Sequence, residues 1–229
     1  MKSILQICIL LVASTCVFSQ NFNEKLSSKF KKQPAIILVK NVNVVSMDSN
    51  TIINNQDVFI NHGIITSISR SGSIIFPNKN IIVIDAKDKY LIPGLIDCHA
   101  HFYDESDIWL FLANGITTMR VMSGEERLLK LRNSIKQKKI IGPQILVACP
   151  YIDNSIQSLF NPIENPDDAT DIVQSCKTYG YDFIKIGDNL NQEIYSAIAS
   201  KCKTLKIRLV GHIPRFASIK DLLDNKQYS

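Results

Sequence analysis

Missing from this chain of 229 residues is any apolar run long enough to matter to a membrane. No stretch approaches the ~20 apolar residues that a spanning helix needs, so no transmembrane helix is expected. Equally absent is a basic stripe interleaved with aromatics. The 26 lysines and arginines face 21 acidic residues, a net charge of only +5. Small clusters at Lys31-Lys32 and at Lys136, Lys138 and Lys139 read as solvated faces, and no nucleic-acid partner is expected. The six cysteines include no Cys-x-x-Cys pair. Two, Cys8 and Cys16, lie near the N-terminus; Cys98, Cys149, Cys176 and Cys202 are expected as buried thiols to which no chemistry is assigned. With 45% hydrophobic and 21% charged residues, the composition excludes disorder and predicts a sizeable core.

What is present begins with a leader. Lys2 supplies a charge, Ile4 to Val12 is apolar apart from Gln6, and Val17-Phe18-Ser19 offers the small residues a signal peptidase reads. Residues 1–19 are therefore expected to be a signal peptide and the protein to be exported, either periplasmic or secreted. Cys16 follows Ala13-Ser14-Thr15, but Thr15 is a poor residue before a lipidated cysteine, so a lipoprotein is the lesser reading. Residues 20–34 are polar and lysine-rich, a flexible arm.

From residue 35 to 90, short β-branched runs alternate with Asn, Asp, Gly and Ser: Ile36 to Val39, Val42 to Met47, Val58 to Ile60, Ile64 to Ile68 and Ile81 to Ile84. This predicts a small antiparallel β unit. His62-Gly63 reads as a hairpin turn and His62 as a turn residue with no ligand role.

After residue 90 strands alternate with helices. Ile108, Phe111 and Leu112 make a helical face stopped at Gly115, and Ile116 to Met122 is a strand. Leu128, Leu131 and Ile135 keep helical spacing, and Ile145 to Ala148 is the next strand. Asp167 or Asp168 is expected to cap a helix ended by Gly180. Phe183 to Ile186 is a fourth strand. Ile194, Ala197, Ile198 and Cys202 share a helical face, and Ile207 to Ile213 is a fifth strand. The pattern predicts an α/β fold with a parallel sheet, closing as a barrel.

The chain is organised around Leu91-Ile92-Pro93-Gly94-Leu95-Ile96-Asp97-Cys98-His99-Ala100-His101. Residues i and i+2 of a strand point the same way, so His99 and His101 form a two-nitrogen claw, or else fall two apart by chance. Leu91, Ile92, Leu95 and Ile96 predict a strand buried on both faces. Two later residues share these alternatives. Lys185 is either a snorkelling surface lysine or an inward amine that loses its proton readily, and His212 is either a core histidine or a ligand.

The run from Ile84-Asp85-Ala86 to His99-Ala100-His101 resembles the entry to the barrel of the amidohydrolase superfamily. Asp57-Val58-Phe59-Ile60 and Gly63-Ile64-Ile65 resemble its small β-sandwich. Gly115-Ile116-Thr117-Thr118 resembles the second strand of the imidazolonepropionase-like and Xaa-Pro dipeptidase-like branch. There an acidic residue often follows the strand's arginine, whereas here Val121 follows Arg120. Tyr181-Asp182-Phe183-Ile184-Lys185-Ile186 resembles the strand whose lysine is carboxylated to bridge two metals, and Val210-Gly211-His212 resembles the strand with a histidine ligand. The resemblance implies a TIM-type (β/α)8 barrel and a metal set of His99, His101, Lys185 and His212 holding two divalent ions, zinc by preference, with Lys185 N6-carboxylated. It implies hydrolysis of amide, peptide or cyclic amide C–N bonds by a metal-activated hydroxide on small-molecule or dipeptide substrates.

Residues 91–229 supply about five strands, whereas a full barrel takes about 250 residues. The expected architecture is thus an incomplete, truncated barrel preceded by a small β-sandwich domain. No sixth-strand histidine or eighth-strand acid/base aspartate follows His212, and Asp221 and Asp224 fall in a helix, so the catalytic acid/base is unassigned. Two readings remain: an exported metal-dependent hydrolase, weak or inactive as this chain, or a non-catalytic remnant that pairs with a complementing segment or oligomerises.

Overall fold

β-branched residues interrupted by Asn and Gly favour strands joined by tight turns, and the first part of the chain folds accordingly. A computed structural model describes residues 25, 28, 36–73, 81–101, 103–154 and 163–229. The expected signal peptide lies outside the described residues, as does the arm except for Lys25 and Ser28, both helical. The described chain forms two compact units that divide at Gly94 and Leu95.

The first unit is a five-stranded sheet of β1 (Ile36–Val45), β2 (Ile52–Asn61), β3 (Ile64–Arg70), β4 (Ile82–Asp85) and β5 (Tyr90–Leu91), ordered β3-β2-β1-β4 with β5 also pairing β1. β2 runs antiparallel to β1 and β3, whereas β4 and β5 run parallel to β1, so the sheet is mixed and not the antiparallel unit expected, because the chain crosses back to β1 instead of turning directly into it. His62 and Gly63 join β2 to β3 with φ of 50° and 79°. Two successive positive φ values match the right-handed twist of the paired strands, which is why a glycine stands there. Val42, Val58 and Ala86 form a small core, with Val39, Val44, Ile60 and Leu91 packed on it. Asp57 is 1% exposed. It accepts hydrogen bonds from the backbone N–H of Asn41 and of Gly72 and from the hydroxyl of Ser71, at 3.1, 3.0 and 2.8 Å. Burial pushes its carboxyl up, but these donors, with Lys40 nearby, outweigh burial and hold it below the ordinary 3.8.

The second unit alternates strands and helices: β6 (Leu95–Ala100), α1 (Asp107–Ala113), β7 (Ile116–Val121), α2 (Glu126–Lys136), β8 (Gln144–Val147), α3 (Pro166–Tyr179), β9 (Phe183–Ile186), α4 (Gln192–Leu205), β10 (Arg208–Gly211) and α5 (Ile219–Asp224). β6, β7 and β8 are parallel neighbours, as are β9 and β10. Parallel bridges from Ala148 to Phe183 and from Ile152 to Ile186 carry the sheet from β8 to β9. The five strands thus follow one another in chain order, the arc of an incomplete barrel. Ile108, Met119, Leu128, Val147, Val173, Ile184 and Ile198 are among the residues of one continuous core. Full burial of side chains this size contributes roughly 1.5–3 kcal/mol each. No helix among the described residues is long and apolar enough to cross a membrane.

Two further expectations are corrected. The cap of α3 is Asn165, whose side chain accepts from the backbone N–H of both Asp167 and Asp168, with Pro166 at the first helical position. Leu95 and Ile96 are 50% and 63% exposed, not buried on both faces. Among the described residues β6 ends the row of strands and pairs with β7 alone, so it lacks the neighbours of a central strand. Beyond β10 the chain returns to the sheet: Tyr228 N–H donates to Leu209 O at 2.9 Å, and Gln227 bridges Leu209 in parallel. Residues 227–229 thus lie along the outer edge of β10 through an isolated bridge, and the barrel part holds the five strands expected.

Candidate metal centre

Side chains at the C-terminal ends of parallel strands in a barrel sheet gather at one rim even when they are far apart in sequence. His99 belongs to β6 and His101 follows it; their ring centroids stand 5.3 Å apart with planes tilted by 41°. The Asp97 carboxylate accepts the backbone N–H of His99 at 2.9 Å and braces the strand end. The two imidazoles thus stand side by side at the end of the strand.

Lys185 lies in β9, all of whose residues are buried, and is 3% exposed. It is an interior residue and not a snorkelling surface lysine. No carboxylate pairs with it among the described residues. Burial, followed by the Arg120 guanidinium, pulls its ammonium below the ordinary lysine range, with Cys149 opposing. Arg120 stacks 5.2 Å from the Phe183 ring centroid, and its Nη2 donates to Ser229 Oγ at 2.5 Å. The Cys149 sulfur accepts the backbone N–H of Lys185 at 3.1 Å and donates to its carbonyl at 3.8 Å.

His212 follows β10 after Gly211. At φ 133° a Cβ on Gly211 would stand 2.3 Å from Ile186 O, so only glycine lets β10 run this close to β9. The backbone N–H of His212 donates to Ile186 O at 3.0 Å. Its Nδ1 lies 3.4 Å from the Tyr151 hydroxyl, and the two rings meet edge-on at 5.8 Å.

Burial lowers the pKa of His99 first, and then Lys185, His101, His212 and Arg120 add to the effect. The chain therefore brings all four candidate residues into one electrostatic neighbourhood, and that neighbourhood favours a neutral imidazole, the form that ligates metals. Among the described residues, no three His, Cys, Asp or Glu side chains cluster closely enough to hold an ion. The imidazoles alone are thus no cage. A two-ion centre fits them only if His99 and His101 serve one ion, His212 serves the other, and Lys185 connects the two. An amine that is buried, short of counter-charge and pushed toward neutrality is suited to that part, because it can add CO2 and become an anionic oxygen donor.

Sequence reasoning did not single out Tyr151 or the placement of the Cys149 thiol. Only their position, just past a barrel strand, could have marked them. Tyr151 titrates above its ordinary range through burial and then through Asp153 and Asp188. Asp221 lies in α5 as expected, in a capping box with Ser218, and Asp224 ends the same helix. Cys149, Cys176 and Cys202 are buried free thiols, whereas Cys98 is exposed.

No protein-family profile matches the chain. It is 44% identical over 70 residues to a dihydropyrimidinase of Dictyostelium discoideum, covering 31% of this chain and 13% of that protein. It is 32% identical over 114 residues to an adenine deaminase of Staphylothermus marinus, covering 45% of this chain and 18% of that one. The fold is similar to the solved structure of bottromycin amidohydrolase, with a TM-score of 0.72 at 21% identity, covering 89% of this chain and 43% of the other. The chain thus spans well under two thirds of each of these proteins.

Proposed function

The chain is related to the amidohydrolase superfamily, and from that premise we propose that it serves a metal-dependent hydrolysis of carbon–nitrogen bonds in amide, peptide or cyclic amide substrates. The observation that carries the proposal is Lys185: a 3% exposed amine without a carboxylate, in the same electrostatic neighbourhood as His99, His101 and His212. Fold stability gives no reason for an unpaired buried cation, whose desolvation is unfavourable. A ligand site does.

His99 and His101 would hold one divalent ion, His212 the other, and Lys185 would bridge them, with zinc the preferred metal for such nitrogen donors. Ions so held acidify water and polarise a carbonyl. Lys185 prepares itself by adding CO2: the amine lone pair bonds to carbon, a C=O electron pair moves to oxygen, and one N–H proton leaves to water. The product is a carbamate whose single negative charge is shared by two oxygens. The Arg120 guanidinium nearby opposes an ammonium at Lys185 and favours a carbamate there. No acid or base is assigned to any residue of this chain. We also propose that the chain is exported by its residues 1–19, on the leader pattern of the sequence.

The test is metal analysis of the chain refolded with zinc and bicarbonate. Wild type is expected to retain zinc and, when loaded with isotope-labelled bicarbonate, to show in the folded state a carbamate carbon resonance that Lys185→Ala lacks. Lys185→Ala and the double variant His99→Ala/His101→Ala are expected to lose zinc. A folded wild-type chain that takes up no metal overturns the proposal.

A further inference from the structure

Two aromatic rings meet over Gly187. Tyr151 enters from the segment after β8, where Ile152 bridges Ile186 and Gly187 N–H donates to Ile152 O at 2.8 Å. His212 enters from the other side, its backbone N–H on Ile186 O. Both thus flank the end of β9. Gly187 leaves the space they share: a Cβ there would come within 2.5 Å of the Tyr151 hydroxyl and 2.4 Å of the Asp153 carboxyl carbon.

We propose that Tyr151 is the positioning residue of His212, its phenol oxygen accepting the Nδ1 proton so that Nε2 keeps a lone pair turned to the rim. The inference rests on the metal reading above and deepens it. A neutral imidazole carries one N–H, and the partner of one nitrogen decides which nitrogen is free to ligate. The separation of 3.4 Å, with the rings edge-on at 67°, puts the phenol oxygen and Nδ1 face to face. The Asp153 carboxylate lies on the same side of Gly187 as the phenol oxygen and can only accept.

Tyr151 is itself held in place. Asp153, 1% exposed, accepts from the backbone N–H and the side-chain amide of Asn189 at 2.9 and 3.0 Å. Asp188 then takes Arg215 twice, its carbonyl accepting from the Arg215 backbone N–H and its carboxylate from Nε, each at 3.0 Å. The loop after β9 therefore ties the segment that carries Tyr151 to the segment that carries His212.

The test has two arms. In the metal-free chain, imidazole nitrogen chemical shifts are expected to show His212 as the Nδ1–H tautomer, and Tyr151→Phe is expected to shift it toward Nε2–H. A wild-type His212 found as Nε2–H overturns the proposal without any variant. In zinc titration, Tyr151→Phe is expected to weaken one of two binding events about 10- to 100-fold, the range usual for loss of an outer hydrogen-bond partner, while His212→Ala abolishes the same event. Tyr151→Phe titrating like wild type while His212→Ala loses a site overturns the positioning role alone. A wild type that binds no zinc sinks the metal reading, and the tautomer arm still decides the contact.

Discussion

Lys185 is a residue that folding alone would not choose. Its neighbours in β9 are Phe183, Ile184 and Ile186, all buried, and the positive charge of Arg120 acts on it from nearby. Replacing it by methionine, of similar shape but neutral, is expected to raise the metal-free chain's unfolding free energy by about 1–3 kcal/mol while abolishing zinc retention. Urea denaturation beside metal analysis reads both, and loss of stability in Lys185→Met would count against the strained role. Asp57 is the opposite case, a buried carboxylate with three donors. Its folded pKa lies below 3.8, so its stabilisation is complete above that value and fades as pH falls through the depressed one. Asp57→Asn is expected to destabilise the sheet of residues 36–91 by about 1–3 kcal/mol at neutral pH and to flatten its acid unfolding, read by amide exchange at Asn41 and Gly72. The sequence displayed Lys185 and both histidines of the claw, because strand alternation is a local property. It hid Tyr151 and Cys149, whose roles come from contacts 61 and 36 residues away.

At the level of elements, local chemistry was read where the partner is close in the chain. Gly180 closes α3 at φ 87°, and His62-Gly63 turns β2 into β3. The cap of α3 was misplaced by two or three residues because Asn165, Asp167 and Asp168 are all fit for it, and only Pro166 at the first helical position tells them apart. Asn165→Ala is expected to cost about 1 kcal/mol in thermal or urea unfolding, and Asp167→Ala less. The strictest element is the contact of β10 with β9. Gly211→Ala combines a positive φ with a Cβ only 2.3 Å from Ile186 O. It is expected to destabilise the second unit by about 1–3 kcal/mol and to displace His212 from Tyr151, seen as loss of the His212 tautomer preference.

On the scale of the whole molecule, the order of strands and helices was legible because each has its own period. Which faces are covered was not, since burial depends on neighbours that no window of sequence contains. Leu95 and Ile96 read as core yet stand open, and Ile64 and Leu223 are 66% and 70% exposed. Exposed apolar surface of this extent predicts that the purified chain binds an apolar fluorescent dye under native conditions and scatters more light as its concentration rises. Ile96→Lys together with Leu223→Lys is expected to reduce both signals.

The two flanks of the barrel sheet are not equivalent. Residues 227–229 already occupy the outer hydrogen-bonding groups of β10, whereas β6 has no partner on its far side among the described residues. A foreign strand seeking to extend the sheet therefore meets a closed border at β10 and an open one at β6. Misassembly should begin beside the histidine pair, so ligands that settle on His99 and His101 would also act as guards against fibrillation.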